Sequence, residues 1–192
     1  MNDITQQNFL EIGTVRHLRN EQEALKVAKE VAAQLQSYAQ DPAYNKTLPY
    51  AQAKLISESG LTTISVPKEH GGLGASVLTI VNVVKIISAA DSGVGQLLQI
   101  HFTMFRGILT GYSDEICDRL LADILAGKRL GNALAEVGGK NKFEHKTRVH
   151  RNEAGQLVLN GSKFYSTGSF LAEWISLFAS GDEGPVSILL HR

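Results

Sequence analysis

Apolar positions in the first two-thirds of the chain recur at intervals of three and four. Residues 20–40, "NEQEALKVAKEVAAQLQSYAQ", put Ala24, Val27, Ala28, Val31, Ala32 and Leu35 on one helical face. Asn20 is placed to cap that helix, with Glu23 three residues on as a capping box prefers. Asp41-Pro42 ends it. A second helix is predicted over Leu48–Ser59, closing on Gly60. The loop "LTTISVPKEHGGLGAS" follows, and then helices over Ser76–Ala90, Ser92–Thr110 and Ser113–Ala126, with Gly111 and Gly127 as breaks. The most apolar stretch, "VLTIVNVVKIISAA" from Val77 to Ala90, carries Thr79, Asn82, Lys85 and Ser88 at a spacing of three. It falls short of the roughly 20 residues that span a bilayer, so a buried core helix is predicted.

From Leu130 the period changes from 3.6 to 2. "RLGNALAEV" reads as a strand, and "HKTRVHRNEAGQLVLNGSKFYSTG" as two alternating runs joined through Asn-Glu-Ala-Gly. Asn160-Gly161 offers a second tight turn. "EWISLFAS" and "VSILLH" supply two more strands. About five helices and then about five strands make an α+β chain, with a helical domain over residues 1–129 and a β domain over 130–192. His191-Arg192 directly follows a hydrophobic strand, which predicts a sheet edge to be covered by further chain or by a partner.

Composition narrows the function classes. The 192 residues carry 19 basic and 19 acidic side chains, and like charges form no long run. Nucleic acid and anionic membrane surfaces are therefore not expected partners. The N-terminus lacks the basic and apolar regions of a secretory signal, so a cytoplasmic location is expected. Cys117 is the single cysteine, which excludes an internal disulfide. His17, His70, His145, His150 and His191 show no paired spacing, and no metal is expected.

Three places carry candidate chemistry. In "NGSKFYSTG", residues 160–168, strand alternation puts Tyr165 and Thr167 on one face and Ser166 on the other, unless a bulge before Gly168 turns it. His101 stands in the apolar run "LLQIHFTMFRG", where a lone histidine is commonly a satisfied core residue; Phe105, one turn on, shares its face. Asn132 opens the first strand with Leu134 on the same face. Gly138-Gly139-Lys140-Asn141, with Lys142, suits either backbone approach to a phosphate or a surface turn. The "GGLG" of Gly71–Gly74 lacks the strand–loop–helix setting of a dinucleotide fingerprint.

Taken in register, "VPKEHGGLGAS", "NALAEVGGKN" and "LNGSKFYSTG" resemble three motifs of the acyl-CoA dehydrogenase superfamily over roughly residues 20–190. That resemblance implies an N-terminal all-helical domain followed by part of an antiparallel β-barrel, with the family's C-terminal helical bundle missing and a homotetramer as the usual assembly. The dehydrogenases' Thr-Glu-Pro is replaced by Ala135-Glu136-Val137, and their Trp-Ile-Thr-Asn by Tyr165-Ser166-Thr167-Gly168. These departures are similar to the reduced-flavin-dependent monooxygenases of sulfur acquisition and the dibenzothiophene type.

The monooxygenase resemblance implies reduced FMN from a partner flavin reductase, oxygen, and a small organosulfur substrate such as a sulfone. It places His101 and Ser166 in catalytic positions near the flavin. Asn132, Leu134, Ala135, Tyr165, Ser166 and Thr167 are implied as cofactor-binding, the Ala135 contact through the main chain alone. Phe105, where some relatives carry Tyr, and Asn141 are implied in the substrate pocket. His101 is expected to donate a hydrogen bond or relay a proton near pH 7. Two other readings stand beside this one: an acyl-CoA dehydrogenase with FAD, and a truncated chain or binding fragment without activity.

Overall fold

The computed structural model describes residues 11–40, 47–138 and 145–192. The chain divides into two compact units, Met1–Arg129 and Leu130–Arg192. The first contains helices α1 (Glu21–Tyr38), α2 (Tyr50–Glu58), α3 (Val77–Ala90), α4 (Ser92–Gly111) and α5 (Asp114–Leu125), with short 3₁₀ turns at Leu61–Thr63 and Lys68–His70. The periodic positions of α1 behave as their spacing demands: Ala24, Val27, Ala28, Val31 and Leu35 are all buried. Asn20 Oδ1 accepts the Glu23 N–H at 2.9 Å. Glu23 does not complete the capping box in the expected way. Its carboxylate instead accepts the Arg19 N–H at 3.0 Å and pairs with the Arg16 and Arg19 guanidinium groups.

Leu35, Leu61, Ile64, Val83, Ile87 and Leu98 are fully enclosed and join α1, α3, α4 and the 61–64 turn into one core. Each such side chain contributes about 1.5–3 kcal/mol by leaving water. α3 is not the buried core helix that its composition predicts. Val77, Leu78 and Val81 are exposed, while Thr79 is buried. The cause is the Glu21 carboxylate on α1, which accepts the Ser76 N–H at 2.6 Å and the Thr79 hydroxyl at 2.7 Å. That polar clamp turns the Thr79–Val83–Ile87 face inward and leaves the opposite apolar face outside.

The second unit is a five-stranded sheet of β1 (Leu130–Ala133), β2 (Arg148–Arg151), β3 (Leu157–Asn160), β4 (Trp174–Gly181) and β5 (Gly184–His191). β4 is its spine. One edge pairs in parallel with β1 over Trp174–Leu177 and meets β2 at Ser180; the other pairs antiparallel with β5 along its whole length. The sheet is therefore mixed, with parallel pairings where the resemblance implies antiparallel ones; the α+β class stands. Ala133, Ile175, Leu177 and Ala179 form the buried core of this unit, packed with Val186 and Ile188 of β5.

β2 and β3 form the hairpin expected around Asn-Glu-Ala-Gly, closed by the Gly155 N–H on Asn152 O at 2.9 Å. The second expected turn, at Asn160-Gly161, does not return the chain as a hairpin. Gly161 instead lets the backbone pass Thr147 where a Cβ would collide with that residue. Among the described residues no helix is long and apolar enough to cross a membrane, and no three metal-ligating side chains converge.

Candidate active site

In the β unit two separate sequence segments meet. The Asn132 N–H donates to Thr167 O at 3.0 Å, and the Phe164 N–H donates to Ala135 O at 2.9 Å. An isolated antiparallel bridge links Ala135 and Phe164. Gly131 makes the approach possible: a Cβ there would stand 2.9 Å from Gly168 C, 3.0 Å from Ser169 N and 3.1 Å from Gly168 O. Asn132, Leu134 and Ala135 thus lie beside Tyr165, Ser166 and Thr167 in one hydrogen-bonded platform.

The strand alternation expected for Ser162–Thr167 fails. Tyr165 has a φ of +52°, in the left-handed region, and is the one non-glycine residue there among those described. The Thr167 N–H folds back onto Tyr165 O at 2.9 Å, and the Ser169 N–H onto Ser166 O at 3.1 Å. Left-handed backbone costs an aromatic residue about 1–2 kcal/mol, and such strain concentrates at functional sites. The turn throws the Tyr165 ring into solvent, 91% exposed, and leaves the Ser166 and Thr167 side chains half-buried. The alternation that pairs Asn132 with Leu134 likewise stops at Ala133, where β1 ends.

Two features bear on what this platform could bind. Asn132 is 7% exposed, and its Oδ1 is buried with no hydrogen-bond partner. An unpaired buried acceptor costs about 1–3 kcal/mol, so it calls for a donor. Ala135, exposed and without a hydroxyl, offers only main-chain groups to a neighbour.

Sequence reasoning missed the groups that hold the platform. Glu136 directly follows Ala135, and Lys163 directly precedes Phe164. Their side chains, 5% and 8% exposed, form an ion pair at 2.5 Å. Lys163 Nζ also lies 3.5 Å from Leu134 O. The Glu136 carboxylate further accepts the Thr147 N–H at 3.1 Å and the Lys146 N–H. Burial raises the Glu136 pKa, but hydrogen bonds from Lys163 and from the Lys146 and Thr147 backbones outweigh it and hold the group at about 2. A signal was available: each charge interrupts an otherwise strand-like run.

In the helical unit, Phe105 lines a cleft of about 580 Å³ together with Phe102, Leu109, Val77, Ile80 and Arg106. Ser65, on the same cleft, has a buried hydroxyl without a partner. His101 is enclosed in the helical unit. It does not line the cleft; its ring is 1% exposed, Nε2 lies 3.0 Å from Thr62 O, and it meets Phe102 edge-on at 5.4 Å. Burial lowers its pKa to about 4, with Arg129 lowering it further and the Thr62 hydrogen bond opposing. Burial therefore favours the neutral ring, which has one donor and one acceptor nitrogen. Asn141, with Gly139, Lys140 and Lys142, lies outside the described residues.

A sequence profile of the acyl-CoA dehydrogenase N-terminal domain matches residues 19–128. Dibenzothiophene monooxygenase of Rhodococcus erythropolis is 33% identical over 129 residues, covering 67% of this chain and 31% of that protein. The mitochondrial short-chain specific acyl-CoA dehydrogenase of Mus musculus is 30% identical over 136 residues, 70% of this chain and 33% of that protein. Among solved structures, FMN-bound TdsC from Paenibacillus sp. A11-2 superposes with a TM-score of 0.79 at 28% identity, over 88% of this chain and 44% of TdsC. The chain thus spans less than half the length of these relatives. With a matching profile over more than half its residues, the chain belongs to the acyl-CoA dehydrogenase family.

Proposed function

We propose that this chain is part of a flavin-dependent monooxygenase that takes reduced FMN from a partner flavin reductase and acts with oxygen on a small, sulfone-like organosulfur compound. The observation that carries the reading is the platform of the β unit, with its unpartnered Asn132 acceptor, exposed Tyr165 ring and adjacent Ser166 hydroxyl. Similarity to dibenzothiophene monooxygenase and to FMN-bound TdsC supports it.

The bound flavin supplies the oxygen chemistry; the chain binds, orients and shields it. Asn132 Oδ1 would accept from a ring N–H, and the buried setting would strengthen that bond. Tyr165 offers a flat apolar face of the kind that stacks on a fused ring. Ser166 provides a compact donor with no fixed charge, suited to a polar atom next to the ring. Ala135 leaves the platform without the side-chain hydroxyl that the dehydrogenase motif carries, which favours the monooxygenase branch. The assembled enzyme would be a homo-oligomer.

The test mixes the protein with chemically reduced FMN, oxygenated buffer and a dialkyl sulfone. The sulfone is expected to be consumed only when oxygen is present, with return of the oxidised-flavin absorbance delayed relative to free FMN. Ser166→Ala is expected to shorten that delay about tenfold, as loss of one strong hydrogen bond predicts. Bleaching of bound FAD by an acyl-CoA, with no effect of the sulfone, would instead identify a dehydrogenase.

A further inference from the structure

We propose that the buried Glu136–Lys163 pair is a positioning device: it sets the register of residues 132–135 against 164–167 and so aims the Asn132 side chain at the bound ligand. The proposal builds on the flavin reading above.

The two charges occupy equivalent places, one residue outside the Ala135–Phe164 bridge on each segment. Lys163 Nζ reaches Glu136 Oε1 at 2.5 Å and Leu134 O at 3.5 Å, so one ammonium touches a side chain and the main chain of the opposite segment. Glu136 in turn accepts from the backbone of a third segment, through the Thr147 N–H at 3.1 Å and the Lys146 N–H. Slipping the pairing by one residue would send one of these charges to the far side of the bridge and leave its partner buried alone.

Burial argues for the same role. A buried ion pair contributes little net stability compared with apolar side chains of similar size, because desolvation offsets the attraction, whereas fixing a register is its best-attested use. The platform needs that service. Among the described residues, an isolated bridge and one further backbone bond join its two segments, and neither distinguishes a register chemically. The Asn132 amide, whose N–H bonds Thr167, is the group whose direction such a slip would change.

The experiment compares wild type, Lys163→Met, Lys163→Arg and Glu136→Gln by amide hydrogen exchange and by FMN titration. In Lys163→Met and Glu136→Gln, exchange at the Asn132 and Phe164 amides is expected to accelerate at least tenfold, while the amides between β4 and β5 keep their protection. FMN affinity should fall at least tenfold in the same two variants, and Lys163→Arg should restore both readouts to within about threefold of wild type. Unchanged exchange at Asn132 and Phe164 would overturn the proposal, as would loss of β4–β5 protection along with them, since the pair would then be a general stabiliser. Altered exchange with no change in FMN affinity, where wild type binds FMN, would overturn the link to ligand binding. Failure of wild type to bind FMN would overturn the flavin reading itself.

Discussion

Gly131→Ala is expected to destabilise the β unit and to remove most of its affinity for FMN. The sign of the effect discriminates. Alanine is ordinarily the better strand residue by about 0.5–1 kcal/mol, because glycine loses more backbone freedom on folding. Here the added Cβ would stand 2.9 Å from Gly168 C and 3.0 Å from Ser169 N. Both are backbone atoms of the turn that follows Thr167, and neither can swing aside as a side chain would. Relief requires the turn to move away from β1, which costs about 1–3 kcal/mol by the usual scale of overpacking. It would also stretch the 3.0 Å bond from the Asn132 N–H to Thr167 O. Chemical denaturation should therefore show a net loss of stability, and flavin titration a loss of about tenfold or more. A rise in stability with affinity retained would mean that β1 and the turn do not press together.

The second large effect is an acid destabilisation centred on the helical unit. His101 is enclosed as the neutral ring, with a pKa lowered from 6.5 to about 4 by burial first and by Arg129, against the Thr62 hydrogen bond. In the unfolded chain the ring takes up a proton near pH 6.5; in the folded chain it resists until about pH 4. The unfolded state therefore binds more protons between those values, and stability falls as pH drops through that window. The full loss is roughly 3 kcal/mol, at about 1.4 kcal/mol per pK unit. Denaturation midpoints measured from pH 7.5 to pH 4 should show this decline, and His101→Gln should flatten it. Glu136, held at about 2, acts in a separate window below its ordinary 4.5, where stability present at higher pH is lost as the carboxylate protonates. A decline confined to pH below 4.5 would assign the acid sensitivity to carboxylates and not to His101.

The helices were legible because one-sided burial leaves a periodic trace. Ala24, Val27, Ala28, Val31 and Leu35 follow the period of α1, and all are buried. α3 misled for a physical reason. Its composition is apolar on most sides, and the carboxylate of Glu21, more than fifty residues away in sequence, holds Thr79 inward with Val83 and Ile87 while Leu78 faces outward. A contact between distant residues leaves no mark in local periodicity.

The candidate site was legible at the level of segments and not of side-chain directions. "NALAE" and "KFYSTG" do lie against each other, joined at Ala135 and Phe164. The alternation argument for Tyr165 and Thr167 failed because one residue, Tyr165, adopts left-handed backbone, and a single such residue cancels the period of two. A separation of 27 residues along the chain concealed the pairing of Glu136 with Lys163. His101 has the setting common to a lone histidine in an apolar run, enclosed with Nε2 3.0 Å from Thr62 O.

The central claim is that the platform around Asn132 is a flavin site. The most direct measurement is an equilibrium titration of FMN, followed by quenching of its fluorescence, against wild type and Asn132→Leu. Leucine keeps the branched outline and the number of heavy atoms, though its methyls are bulkier, and removes the buried, unpartnered Oδ1. On stability alone the change should be neutral or favourable by about 1 kcal/mol, since an unsatisfied buried acceptor disappears. If that acceptor exists to receive a flavin donor, FMN affinity should fall about tenfold or more while the denaturation midpoint holds or rises. Equal FMN binding by the two proteins, or no binding by wild type, would contradict the account.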